Sequence, residues 1–183
     1  MVAGIGCRAG VSGEQVEAAI AAALAALHGA ASEPAARREG LTAIAPPAAE
    51  PKVLTAIATP AAKATEPGIQ AAAAARSLPI LAISQPDLEA ANPATVTRSA
   101  QSMAAMNVHS VAEAAALAGA ATLAKEMPPT IHAKAAPVTA ALAATEVSAT
   151  ITAQPPTNPT PRLLQPRVAV GPVTCALADT TPP

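Results

Sequence analysis

The sequence contains no Phe, Tyr or Trp. Its core must therefore be built from aliphatic side chains and alanine. A buried methylene contributes roughly 0.8 kcal/mol, so an alanine-rich interior predicts low stability per residue. Cysteine is scarce too: Cys7 and Cys175 lie near opposite ends, with no CxxC and no Cys/His metal spacing. That excludes a disulfide framework and a zinc site, and predicts a reduced, cytoplasmic protein without a bound metal. Charge of either sign is low, with 11 Lys and Arg against 12 Asp and Glu, a net charge of -1. This leaves no basic footprint for nucleic acid and no polybasic membrane patch. The longest apolar run, Ala18 to Leu27, falls well short of the roughly 20 residues a membrane helix requires. The opening MVAGIGC has neither a charged n-region nor an apolar h-region before its cysteine, so no lipoprotein signal is expected.

What is present is 51% apolar residues over 183 positions, enough for a single domain spanning 1–183. The 20 prolines crowd into two stretches, which predicts Pro/Ala-rich insertions at about 31–52 and 121–160. Val2 to Cys7 reads as a buried strand. Ser12 and Gln15 form a capping box opening a helix over Val16, Ile20 and Leu27, with Gly29 as its stop. LTAIA occurs twice, at Leu41 to Ala45 and Leu54 to Ala58; Val53 extends the second, which is expected to be the strand. Pro67 suits the first position of a helix over Ile69 to Arg76, and Pro79 to Ser84 reads as a third strand. A helix is expected before Asn107, capped by Ser99 or Thr97. Ser110 and Glu113 form another capping box, heading a helix over Val111 to Leu117 with Gly119 as its stop. Leu163 to Val170 and Val173 to Ala178 read as a hairpin around Gly171-Pro172. The βαβαβ order predicts an α/β fold: three α/β/α layers, a mostly parallel central sheet and a C-terminal hairpin.

Read in order, VAGIGCRAG, ATPAAKATEPG, VTRSAQSMAAMNVHSVAEAAALAG and PRVAVGPVTCALA resemble the CobE/CbiG C-terminal-domain family. SVAEAAAL (Ser110 to Leu117) is the most specific of these pieces and GIGCR (Gly4 to Arg8) the next. The resemblance implies a three-layer α/β/α domain acting in corrin-ring construction. Its partners would be a corrinoid or precorrin and other enzymes of the cobalamin pathway. In one branch such a domain is fused within a protein that opens a precorrin δ-lactone and releases acetaldehyde. A short free-standing chain is more similar to the CobE branch, for which the resemblance implies binding or handing over a corrinoid. The chain departs from the pattern at Ala61 and Thr65, where the family often has acids, and at Asn107 and His109, where it has a glycine pair. A positive φ at His109 would be strained. These losses favour a carrier over a hydrolase; a family member that has lost its function is the third reading.

Corrin intermediates are apolar macrocycles fringed with carboxylates, so a receptor needs apolar surface plus cationic or N–H groups. Gly4, Gly6 and Gly10 offer close backbone approach, and Arg8 a fork for a carboxylate; the alternative is a tight turn with a solvated arginine. Lys63 stands near the C-terminal end of the second strand, where ligands gather in open parallel sheets, and suits a substrate carboxylate. Lys63, Glu66 and Glu113 are the candidate catalytic groups, yet a charge favouring the helix N-terminus is the better account of Glu66, and a capping box already explains Glu113. Ser110 and Thr174 are candidate ligand donors, with Ser99 more readily a cap. Cys7 is a candidate ligand contact or nucleophile, or simply a small buried side chain. His28, His109 and His132 assemble no catalytic triad. No cofactor is expected.

Overall fold

A computed structural model describes residues 1–31, 53–126 and 160–181. Five strands form one sheet in the order β3-β2-β1-β5-β4. β1 (Val2–Cys7) pairs in parallel with β2 (Ala56–Pro60), and β2 with β3 (Ile80–Ile83). β5 (Val173–Thr181) runs antiparallel along the other edge of β1 and pairs with β4 (Thr160–Val170). The α/β class, the parallel core and the terminal hairpin are those read from the sequence. Gly171, with φ of 57°, occupies the first corner of the tight turn that pairs Val170 with Val173, a geometry glycine adopts without strain.

The sheet sorts its side chains by size, because successive strand residues face opposite sides. Ala3, Ile5, Ile57, Cys175 and Leu177 meet α1 (Gly13–Ala31) and α2 (Pro67–Ala75) on one face, where Val16, Ile20 and Ile69 complete the cluster. Val2, Ala56, Ala58, Ala176 and Ala178 meet α5 (Val111–Glu126) on the other. Each buried Ile is worth roughly 1.5–3 kcal/mol by transfer. The alanine face gains instead from close approach. A Cβ on Gly4 would lie 2.0 Å from the Ala112 carbonyl oxygen and 2.4 Å from the Ala116 nitrogen, so β1 and α5 touch backbone to backbone.

α5 accordingly passes straight through Gly119, where a helix stop is expected from sequence, and ends at Glu126. The glycine is there for packing: a Cβ would stand 2.6 Å from that of Ala58. α1 likewise runs past Gly29 to Ala31. The Ser12–Gln15 capping box forms reciprocally, the Gln15 N–H donating to Ser12 Oγ at 3.3 Å and the Ser12 N–H to Gln15 Oε1 at 3.0 Å. The second LTAIA copy supplies β2, while the first lies outside the described residues. β4 and β5 extend beyond the hairpin bounds read from the sequence, to Thr160 and Thr181.

Between β3 and α5 the chain forms α3 (Gln85–Ala91), a 3-10 turn over Asn92–Ala94, and the short α4 (Ala100–Met106). The helix expected before Asn107 is α4, preceded by the 3-10 turn that holds Pro93 and by a loop. Ser99 caps α4, its Oγ accepting from the Ser102 N–H at 3.3 Å. Asn107 closes α4 with φ of 53° and donates to Glu89 at 3.3 Å. His109 has no positive φ, so the strain considered for it does not arise; its N–H donates to Asn92 Oδ1 at 2.7 Å.

Candidate functional site

Strands β1 and β2 end side by side, and the segments leaving them form one wall of a cleft of about 310 Å³. Gly6, Cys7 and Arg8 come from β1 and its exit, Pro60 and Lys63 from β2 and the turn after it. Ser99, Gln101, Ser102, Ala105 and Met106 of the α4 region and Val111 of α5 form the opposite wall. The hairpin closes the side with Arg167, Gly171, Pro172 and Thr174. The C-terminal edge of parallel strands is where open α/β sheets present ligand sites, because loops diverge there and helix N-termini point in.

Three basic residues line this cleft, Arg8, Lys63 and Arg167, and no Asp or Glu does among the described residues. Neither arginine makes a side-chain ion pair among the described residues. Lys63 Nζ lies 3.3 Å from Glu66 Oε2. Glu66 Oε1 accepts from the Gly10 N–H at 2.6 Å, so this carboxylate clamps the turn between β1 and α1 while steadying Lys63. The Gly10 hydrogen bond, then Lys63, hold its carboxyl below the usual value. Glu66 is the N-cap residue of α2, at the helix end expected from sequence, but makes no side-chain cap; its carboxylate reaches across to Gly10 instead. Gly68 allows this junction to close, since a Cβ there would lie 2.2 Å from the Val11 carbonyl oxygen.

Thr174 Oγ1 donates to the Gly6 carbonyl at 2.9 Å across the β1–β5 register, and the Arg8 N–H donates to the Pro172 carbonyl at 3.3 Å. These bonds fasten the hairpin to the exit of β1. Cys7 is half-buried on the cleft side, and burial pushes its thiol up from the ordinary value, outweighing Lys63. A protonated thiol is a poor nucleophile at neutral pH.

Five sequence candidates are not among the residues lining the cleft: Gly10 and Glu66, which bond to each other beside Lys63, and Gly4, Ser110 and Glu113. Gly4 is covered by α5 and offers no approach to a ligand. Ser110 is buried, its Oγ accepting from the Glu113 N–H at 3.5 Å. Glu113 is fully buried at 0% exposure. Its carboxylate does not return to Ser110 as a complete capping box would require. Oε2 instead accepts from the N–H groups of Val96 at 2.7 Å and Thr97 at 3.0 Å, and Oε1 from the Thr97 hydroxyl and from the Arg167 N–H at 3.0 Å. Burial raises the Glu113 pKa, but the bonds from Thr97, Arg167 and Val96 prevail and hold it below the usual carboxylate value. Such saturation leaves no lone pair directed at a substrate.

Arg167 went unnoticed in the sequence. It lies where β4 slips register between Gln165 and Val168, and such a bulge re-aims one residue out of the ladder. Its only signal is an arginine between the apolar residues before a Gly-Pro turn. Gln101, Ser102, Ala105 and Met106 were also missed; they reach the cleft only because α4 folds over the strand ends.

The family profile for the cobalamin synthesis G C-terminus matches residues 1–143. Among solved structures, the chain is similar to CobE, a protein from the cobalamin biosynthetic pathway, with TM-score 0.62 and 23% identity, covering 98% of this chain and 89% of that one. It is also similar to the cobalamin biosynthesis protein chiG from Agrobacterium tumefaciens str. C58, with TM-score 0.52 and 26% identity, covering 99% and 98% respectively. No curated protein matches the chain. A family profile matched over most of the length, with a fold shared by two solved proteins, identifies this chain as a member of the family of the cobalamin synthesis G C-terminus.

Proposed function

We propose that this cobalamin-biosynthesis protein binds a corrin-ring intermediate and hands it on, gripping the ligand's peripheral carboxylates with Arg8, Lys63 and Arg167. The observation that carries this reading is the cleft at the ends of β1 and β2, lined by these three basic residues and by no carboxylate among the described residues. Guanidinium forks suit carboxylates because two parallel N–H bonds fix both position and plane. At about 310 Å³ the cleft stands at the low end of the roughly 300–1,000 Å³ of small-molecule sites. It therefore takes one edge of a macrocycle, with Met106, Val111 and Ala105 as apolar contacts. Without aromatics, the ring itself is held by aliphatic contact rather than stacking.

A lactone hydrolase needs a base within reach of water in the cleft. Among the described residues, the lining includes no His, Asp or Glu, Glu66 is committed to Gly10 and Lys63, and Cys7 is biased toward the thiol. These features favour the carrier. The test is titration with hydrogenobyrinic acid and related precorrins, followed by the ligand's visible absorbance, with acetaldehyde assayed in parallel. A saturable, stoichiometric shift without acetaldehyde is the expected result; catalytic acetaldehyde release would overturn the carrier reading.

A further inference from the structure

Glu113 is a buried anion for which the cleft chemistry has no use. No Lys, Arg or His side chain among the described residues meets its carboxylate; four hydrogen bonds satisfy it, and its position in the first turn of α5 adds the favourable end of the helix dipole. An uncompensated buried charge is costly, so each of these donors matters. All come from two segments that build the cleft. Val96 and Thr97 immediately precede Arg98 and Ser99, the latter a lining residue and the cap of α4. The remaining donor is the N–H of Arg167, displaced from the β4–β5 ladder by the bulge. α4 contributes one wall of the cleft and Arg167 one of its three cations.

We infer that Glu113 is the positioning residue of this cleft: its carboxylate ties the loop before α4 to the β4 bulge and thereby sets both against the strand ends. The inference rests on the proposed corrin-binding reading for its functional meaning, but the tie itself is independent of any ligand. A carboxylate is required in particular. In Glu113→Gln, whichever way the amide turns, its NH₂ faces either the Val96 and Thr97 N–H groups or the Arg167 N–H and Thr97 hydroxyl. In the first case two backbone N–H donors lose their acceptor; in the second the Thr97 hydroxyl can turn to accept from the amide, but the Arg167 N–H is left without an acceptor, and shape alone does not restore it.

The experiment is hydrogen–deuterium exchange on the full chain, read by peptide mass spectrometry, for the parent protein, Glu113→Gln and Thr97→Val. Thr59→Val serves as a control that removes a buried hydroxyl bond, to the Ile5 carbonyl at 3.2 Å, away from this tie. Exchange over 96–106 and 165–170 is expected to quicken roughly tenfold or more in Glu113→Gln, less in Thr97→Val, and not selectively in Thr59→Val. Hydrogenobyrinic acid affinity is expected to fall in the same order. Uniform quickening across β1 and α1 as well would reduce Glu113 to general stability and overturn the inference. Thr97→Val decides the matter if Glu113→Gln does not fold, since unchanged exchange over both segments would contradict the tie. If the parent protein binds no corrinoid, the binding proposal fails while the exchange result still judges Glu113.

Discussion

Replacing Gly4 by alanine should damage this fold more than its single added methyl suggests. The new Cβ would stand 2.0 Å from the Ala112 carbonyl oxygen, 2.4 Å from the Ala116 nitrogen and 2.8 Å from the Ala116 Cα. Restoring an ordinary contact of 3.4 Å requires β1 and α5 to separate by about 1.4 Å. Overpacking costs about 1–3 kcal/mol where side chains yield. Here every clashing atom is backbone of a helix that also packs on β2 and β5, so the loss should reach about 3 kcal/mol, a large share of the roughly 5–15 kcal/mol typical of a domain. With a urea slope of about 1–3 kcal/mol/M, the midpoint should fall by about 1–3 M. Urea titration followed by far-ultraviolet circular dichroism is the assay, because the chain has no aromatic signal. Gly29→Ala is the contrast: among the described residues, no atom beyond its own helix and chain neighbours lies within 4 Å of where a Cβ would stand, and alanine should stabilise α1 by up to about 1 kcal/mol. A Gly4→Ala midpoint within about 0.3 M of the parent would refute the close-contact argument.

The depressed pKa of Glu113 has a definite sign in acid. Its folded value lies below the ordinary 4.5, so its contribution is fully present above 4.5 and disappears as pH falls through the folded value. Glu113→Gln should therefore be less stable near neutrality and lose less on acidification below 4.5, as urea midpoints across pH would report; parallel profiles would contradict this. The two thiols should differ in reactivity. Cys175 is buried with a pKa pushed up to about 12, whereas Cys7 is half-buried at the cleft. Alkylation of the native protein, mapped by mass spectrometry, should modify Cys7 slowly and Cys175 only on unfolding, with a bound corrinoid protecting Cys7. Equal labelling of both, or no protection by a ligand that binds, would count against that placement.

Patterns of short range were the legible part of this chain. The Ser12–Gln15 box, Pro67 at the head of α2 and the Gly171-Pro172 turn all depend on chemistry within a few residues, and each appears where the local signal put it. Gly119 misled because a glycine's stop signal is local, whereas its role against Ala58 is tertiary. Glu113 misled similarly: the S-x-x-E spacing is a capping box by pattern, but Val96, Thr97 and Arg167 offer its carboxylate better partners after folding. Strand-end logic pointed to Lys63 and the turn after the first strand to Arg8, while Thr174 was a candidate ligand donor by residue type alone; all three line the cleft. Arg167 was not legible, because a bulge rather than a motif brings it there.

The most direct test of the account is a hydrogenobyrinic acid titration of the parent protein, Arg8→Ala, Lys63→Ala and Arg167→Ala, with circular dichroism to verify folding. The account predicts a saturable absorbance shift whose affinity drops by about tenfold or more for each variant, as expected when a charged hydrogen bond worth about 1.5–3 kcal/mol is lost. A folded parent protein that gives no shift with any corrinoid, or variants that bind as tightly as the parent, would contradict it.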